Sequence, residues 1–232
     1  MNIQEFDYNI VKKYPVFVNL GRRRVGKSTL TRDQVYNYHI KKAKTKFIIL
    51  ISPTGVFNKD YDYLDPKYKF EHFTESLLDG ILLRQRKLIE TEPNGDYDTL
   101  LILDDIVKSG NKRQIDILSK LLTLSRHYRL SIILNIQYMK SSEFSPTMRD
   151  NVDYMFIFKQ NNYENKKNIV EQWLSISIED KKKGFVLMET IPQNYRIMVI
   201  DNTLISNDYK GFIYHYTADL KAMPKDYKIK SY

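Results

Sequence analysis

The sequence predicts an α/β fold with a mostly parallel central sheet and helices on both faces. Three observations carry that prediction. Short apolar runs alternate with amphipathic stretches, the pattern of strand–helix–strand units in a parallel sheet. The first run, "PVFVNL" (15–20), leads straight into Gly21-x-x-x-x-Gly26-Lys27-Ser28, a glycine-framed loop between a strand and a helix. A later run, "TLLILDD" (99–105), ends on two carboxylates.

The elements follow in order. Residues 15–20 are continuously apolar and β-rich, as in a strand buried on both faces. From Ser28 to about Ala43 no Pro or Gly interrupts, and a helix is expected. "KFIILIS" (46–52) reads as a second buried strand, closed by Pro53. Residues 53–73 show no clear period and read as a long loop. "TESLLDGILLRQRKLIE" (74–90) has helical apolar spacing behind a Thr/Glu start, and "EPNG" (92–95) is a turn. Residues 99–105 form a third strand, 111–129 a helix, "LSIILNIQ" (130–137) a fourth strand and "VDYMFIFK" (152–159) a fifth. A helix is expected around 163–176. Two strand-like runs, "KGFVLMET" and "YRIMVID", are expected to add a C-terminal β-hairpin to the sheet.

A length of 232 residues supports one substantial domain. Residues 1–160 are expected to form its nucleotide-binding core, 161–218 a C-terminal helix and hairpin extension, and 219–232 a basic, fraying tail. The net charge of +9 suggests a polyanionic partner, most simply nucleic acid; an inert basic surface is the plain alternative. There is no cysteine, which excludes disulfides and thiolate-bound zinc. His39, His72, His127 and His215 lack metal-ligand spacing. The N-terminus does not read as a signal peptide, and no run approaches the roughly 18 apolar residues of a membrane span.

Gly21-x-x-x-x-Gly26-Lys27-Ser28 matches the P-loop pattern. Gly21, Arg22, Arg23, Arg24, Val25, Gly26, Lys27, Ser28 and Thr29 are therefore the candidate ATP-binding residues. Backbone N–H groups of such a loop and its helix converge on phosphates. Gly26 permits close approach, and the Lys27 ammonium would bridge the β- and γ-phosphates. The Ser28 hydroxyl would join the Mg²⁺ shell. Thr29 can add a phosphate contact or simply start the helix. Asp104 suits the Mg²⁺ contact of a Walker B strand. Asp105 suits the second acid, which activates the attacking water, or else caps the next segment. Gln137, at a strand end on the same edge, can sense the γ-phosphate or position the water, or be a structural amide. Asn135 points to the same side as Gln137. With the two acids, the loop predicts a P-loop NTPase of the ASCE, RecA-like class, using ATP and Mg²⁺.

The stretches "VNLGRRRVGKSTL", "LLILDD" and "SRHYRLSIILNIQYMKSSEFSPTMRDNVDYMFIF" together resemble the FtsK–HerA superfamily of DNA-pumping ATPases. The likeness is greatest to the genome-packaging ATPases of nucleocytoplasmic large DNA viruses and their virophages. It runs from about residue 15 to 160. It implies a homo-oligomeric ring, pentamer or hexamer, that hydrolyses ATP and threads double-stranded DNA into a preformed capsid. The partners are then DNA and viral capsid proteins, with no membrane. The setting is the host cytoplasm, the virus factory or the virion. Rings of this type complete each site with a neighbour's arginine, and Arg149 and Arg126 are the candidates by motif position, a surface or salt-bridge arginine being the alternative for each. Arg149 is expected on the nucleotide edge of the sheet. No nuclease-like carboxylate cluster follows residue 160, unlike a terminase large subunit. No C-terminal DNA-reading module or membrane anchor is expected, unlike a chromosome translocase.

Arg22, Arg23 and Arg24 can point outward while the loop backbone holds phosphate. They can then face an acidic neighbour, add field to the site or be solvated. Residues 41–46, Lys108, Lys112 with Arg113, and the 53–73 loop are candidate DNA grips, each equally readable as a solvated face. Two other functions stay open: a nucleoside or nucleotide kinase on the same fold, and a non-enzymatic assembly protein that ATP switches.

Overall fold

In a computed structural model, residues 3–55, 57–106, 111–138, 144–174, 181–206, 208–223 and 228–229 are described. The elements are β1 (Val16–Leu20), α1 (Lys27–Asp33), β2 (Phe47–Ile51), β3 (Lys69–Phe70), α2 (Glu75–Thr91), β4 (Thr99–Asp104), α3 (Lys112–Leu124), β5 (Leu130–Ile136), α4 (Pro146–Asp150), β6 (Tyr154–Ile157), α5 (Tyr163–Ile169), α6 (Lys181–Thr190), β7 (Ile197–Asp201) and β8 (Ile213–Tyr216). α1 runs on as a π-helix, Gln34–Ile40, and α5 as another, Val170–Leu174.

The eight strands form one sheet in the order β3-β2-β4-β5-β1-β6-β7-β8. β1 to β6 pair in parallel, and β7 and β8 add antiparallel strands. β1, β4, β5 and β6 are near-continuous apolar runs because the sheet is covered on both sides. Val16, Val18 and Leu20 face a core shared with α2, α3, α5 and α6. Phe17 faces the opposite core, shared with α1, the N-terminal segment and Tyr61, Tyr63 and Leu64. Asp33 anchors α1 on this second face. It accepts hydrogen bonds from Tyr8 (3.0 Å) in the N-terminal segment and Tyr216 (2.5 Å) in β8.

Three expectations change. Residues 183–190, expected as a strand, lie in α6. Gly184, Leu187, Met188 and Ile191 are buried at i, i+3, i+4 and i+7, a helical stripe that outweighs the β-rich "FVL". The C-terminal hairpin is therefore β7 with β8. The expected 53–73 loop carries two 3₁₀ turns, Lys59–Tyr61 and Pro66–Tyr68, the second leading into β3, which pairs with β2. The described part of the tail is docked: Ala222 and Met223 are buried, and Ile229 N–H donates to Tyr63 O at 2.9 Å.

Candidate nucleotide site

The site forms where β1, β4 and β5 end. Every parallel strand delivers its C-terminus to one edge, and that edge is where open α/β sheets bind ligands. β1 runs into the loop 21–26, and α1 starts at Lys27. Gly26, the helix N-cap, has φ +103°, and Arg24 has φ +64°. Left-handed residues among right-handed ones turn successive N–H groups inward, as an anion-binding loop requires. Gly21 is needed for another reason. A Cβ there would lie 2.8 Å from Val25 Cγ2 and 2.9 Å from Phe158 Cβ. The side chains of Arg22, Arg23 and Arg24 are exposed on the outside of this turn, so three bulky cations and a close backbone coexist.

The Lys27 ammonium donates to the carbonyls of Gly21 (2.6 Å) and Arg22 (3.1 Å). Burial pushes its pKa below the ordinary lysine value; Asp105 and Asp104 pull it back up, and Arg23 opposes them. Lys27 and both acids thus share one electrostatic neighbourhood. Ser28 and Thr29 are half-buried in the first turn of α1.

Asp104 and Asp105 occupy different surroundings. Asp104 ends β4 and accepts from Asn135 Nδ2 at 3.1 Å. Burial raises its pKa above the usual carboxylate range; hydrogen bonds from Asn135 and Tyr61 and the Lys27 charge oppose the rise. Asp105 lies beyond the strand end, exposed, at φ +52°. There it accepts from Gln137 Nε2 at 2.8 Å. A left-handed aspartate is uncommon and marks a constrained turn. Tyr61, fully buried, was not legible in the sequence: it lies in an aperiodic segment, and only the packing of that segment on α1 brings it to Asp104.

Arg149 and Arg126 lie elsewhere. Arg149 lies in the last turn of α4, which leads into the N-terminal end of β6. Its carbonyl accepts from Asn202 (3.1 Å), next to Asp201, which pairs with Tyr154 at the start of β6. Its guanidinium donates to Phe144 O and Gln172 Oε1, both at 3.1 Å. Arg126 precedes β5 and pairs at 2.5 Å with Asp153, which also accepts from Val16 N–H at 2.8 Å. The expected placement of Arg149 on the nucleotide edge is thus corrected. A chain leaving β5 must cross back over the sheet before β6 can run parallel to it. Both arginines end up at the far edge, about 16 Å away across the length of β1 at about 3.3 Å per residue.

The basic clusters divide likewise. Residues 41–46 precede β2 at the far edge; Lys41 donates to Asn37 (3.2 Å), Lys42 to Tyr8 O, and Lys46 pairs with Asp96 (3.2 Å). Lys112 and Arg113 begin α3 on the nucleotide side, with Arg113 3.3 Å from Glu75. Lys108 lies outside the described residues. Among the described residues, no helix is long and apolar enough to cross a membrane.

Comparison with known proteins places this geometry. An uncharacterized protein of Acanthamoeba polyphaga mimivirus is 31% identical over 211 residues, covering 86% of this chain and 71% of that protein. An uncharacterized protein of Frog virus 3 (isolate Goorha) is 27% identical over 205 residues, covering 87% of this chain and 61% of that protein. Among solved structures, the genome packaging NTPase B204 from Sulfolobus turreted icosahedral virus 2, in complex with ATP-gammaS, shares the fold. Its TM-score is 0.60 at 18% identity, over 88% of this chain and 98% of that one. The Poxvirus A32 protein family matches residues 3–230, nearly the whole sequence, and the chain belongs to that family.

Proposed function

We propose that this protein is the ATP-driven motor that moves double-stranded viral DNA into a preformed capsid, working as a homo-oligomeric ring in the infected cell. The observation that carries the reading is the meeting of Lys27, Asp104 and Asp105 at one sheet edge, with Gln137 2.8 Å from Asp105. Membership of the Poxvirus A32 protein family and the fold shared with a genome packaging NTPase support it.

In this reading the loop 21–26 and the start of α1 receive the phosphates of ATP on backbone N–H groups. Lys27 neutralises the β- and γ-phosphates. Asp105 takes the proton of the attacking water, and Gln137 holds the Asp105 carboxylate in place. Ser28 and Asp104 offer the hard oxygen donors that suit Mg²⁺. When bound, Mg²⁺ supplies positive charge against the phosphate oxygens. Arg149 and Arg126 lie too far from their own P-loop to act in it; in a ring either would serve a neighbouring copy's site, with a purely structural arginine as the alternative. Exposed lysines and arginines would contact DNA phosphates, with the far-edge 41–46 cluster and the Lys112–Arg113 pair on separate faces.

The test is ATP hydrolysis by the purified protein, with and without long double-stranded DNA, after separation by oligomeric size. Turnover that DNA stimulates in an oligomeric fraction is expected. Phosphorylation of added nucleosides without DNA stimulation would overturn the reading in favour of a kinase. ATP binding without turnover in every fraction would favour an assembly switch.

A further inference from the structure

Beside the P-loop lies a polar row that phosphate binding does not itself require. Strand register sets Asn19 of β1 opposite Asn135 of β5, and Asn135 opposite Asp104 of β4. Thr31 and Gln34 reach this row from the helix above. Asn19, Thr31, Gln34 and Asn135 are each 0% exposed. Uncharged polar groups sealed from water inside an apolar sheet are costly unless paired.

From Asn19 onward their pairing has a direction. Gln34 Nε2 donates to Asn19 Oδ1 (3.0 Å), and Asn19 Nδ2 donates both back to Gln34 Oε1 (2.9 Å) and on to Asn135 Oδ1 (2.9 Å). Asn135 Nδ2 then donates to Asp104 Oδ1 (3.1 Å). The Thr31 hydroxyl sits against the Asn135 amide, donating to Oδ1 (3.1 Å) and lying 3.0 Å from Nδ2, whose protons Thr31 Oγ1 shares with Asp104 and the Tyr61 hydroxyl (3.4 Å). A flipped Asn135 amide would aim its oxygen at the Asp104 carboxylate and its NH₂ at that of Asn19, repelling both. The network itself therefore fixes the amide orientations. Gln34 and Asn19 close a reciprocal amide pair, and from it Asn19 and then Asn135 each turn an N–H toward the next acceptor, ending on the Asp104 carboxylate, in a dry environment where aligned hydrogen bonds polarise one another.

We propose that the amides of Gln34, Asn19 and Asn135 form a positioning device for Asp104, holding its carboxylate ready for the divalent cation and tying it to the P-loop helix. Asn135 is the positioning residue through which the row acts, and Gln34 is its distal end, on the π-helical turn. The inference rests on the reading of Asp104 as the cation's carboxylate. It adds the reason why β1 and β5 carry asparagines where a buried strand would otherwise carry valine or isoleucine.

Two near-isosteric variants of the full chain test this: Asn135→Leu and Gln34→Met. Two readouts are taken. One is the Mg²⁺ concentration that half-saturates ATP hydrolysis. The other is the shift in melting temperature produced by a non-hydrolysable ATP analogue with and without Mg²⁺. Loss of a group that orients a metal ligand typically weakens the metal about 10–100-fold. Asn135→Leu is expected to raise the Mg²⁺ requirement by that factor while the Mg²⁺-free analogue still stabilises the protein. Gln34→Met, which does not touch Asp104, should raise it by a smaller but measurable factor. An unchanged Mg²⁺ requirement in a cooperatively melting variant overturns the proposal. So does an equal loss of Mg²⁺-free binding, which would mean a merely structural row. If Asn135→Leu does not fold, Gln34→Met decides alone. A wild-type protein with neither Mg²⁺-dependent hydrolysis nor analogue-induced stabilisation would bring down the ATPase reading itself, and this inference with it.

Discussion

Gln137 donates its side-chain amide to Asp105 across 2.8 Å, joining the first residue past β5 to the first past β4. Neither residue lies in a strand, so the alternation of side chains no longer dictates where each points. The exposed Asp105 carboxylate is held by one neutral donor, whereas Asp104 at the strand end is partly buried. Asp105→Asn should keep ATP binding and lower turnover by about 10²–10⁴-fold, the usual worth of a general base. Gln137→Leu should cost about 10–100-fold, the equivalent of one hydrogen bond to a charged group. Steady-state turnover alongside binding of a non-hydrolysable analogue separates the two effects. Equal loss of binding would remove both residues from the chemistry.

The two loop glycines should fail differently. Gly21→Ala drives a Cβ to within 2.9 Å of Val25 and Phe158, overpacking worth about 1–3 kcal/mol that should lower the melting temperature as well as affinity for ATP. Gly26→Ala meets nothing nearer than 3.7 Å, but its φ of +103° disfavours any side chain. Lys27→Ala leaves both backbones intact and should abolish hydrolysis with little change in melting. Unaltered turnover in Lys27→Ala would reject the P-loop assignment.

Arg126 and Arg149 can be told apart by stability. Asp153 is almost wholly buried and Arg126 is its only ionic partner among the described residues, though the Arg126 side chain is 54% exposed. Allowing for solvent screening, Arg126→Ala should cost about 1–2 kcal/mol of stability. Arg149→Ala gives up the hydrogen bonds to Phe144 O and Gln172 and should lower melting modestly, while it leaves ATP binding by the single subunit nearly intact and suppresses turnover in the assembly. A neighbour's arginine is worth about 10³–10⁵ in rate in related phosphoryl transfer. Mixing Arg149→Ala with Lys27→Ala subunits should restore part of the activity, because some interfaces then pair a good loop with a good arginine. Full activity of Arg149→Ala alone would reject that role.

His39 gives a pH dependence with a definite sign. It is buried against the rings of Phe17 and Tyr38, with Nδ1 3.1 Å from the Thr45 hydroxyl. Burial lowers its pKa to about 3, so it stays neutral in the fold, whereas the unfolded chain protonates it near 6.5. Its contribution is complete above about pH 6.5 and declines toward pH 3, by up to about 1.4 kcal/mol per pH unit. Buried Asp33, Asp153 and Asp201 and partly buried Asp104 have raised pKa values and work in the opposite sense. The difference in melting temperature between wild type and His39→Phe, followed from pH 7.5 to 5.0, isolates the histidine and should shift in the variant's favour. A constant difference would contradict this.

DNA binding should fall steeply with salt and show little sequence preference, given a charge of +9 and no recognisable base-reading motif in the sequence. Titrating one duplex at increasing salt measures the slope. A flat response would remove nucleic acid as the main partner.

The sequence by itself determined the sheet's parallel core and the P-loop. Continuous apolar runs, a glycine-framed loop and paired acids are local signals, set by the needs of buried strands and phosphate contact. It also placed Asp104, Asp105 and Gln137 on one edge, because parallel strands share a direction. Only the tertiary structure decided the rest. The α6 segment carried both a helical stripe and β-favouring residues, and packing against the core resolved the conflict. Arg149 was set at the far edge by the return of the chain from β5 to β6, a constraint of topology with no mark in nearby residues. The row from Gln34 to Asp104 depends on the register of three strands separated widely in sequence. A buried asparagine reads as an ordinary polar residue until its neighbours across the sheet are known, because hydrogen-bond satisfaction belongs to the folded arrangement and not to the chain.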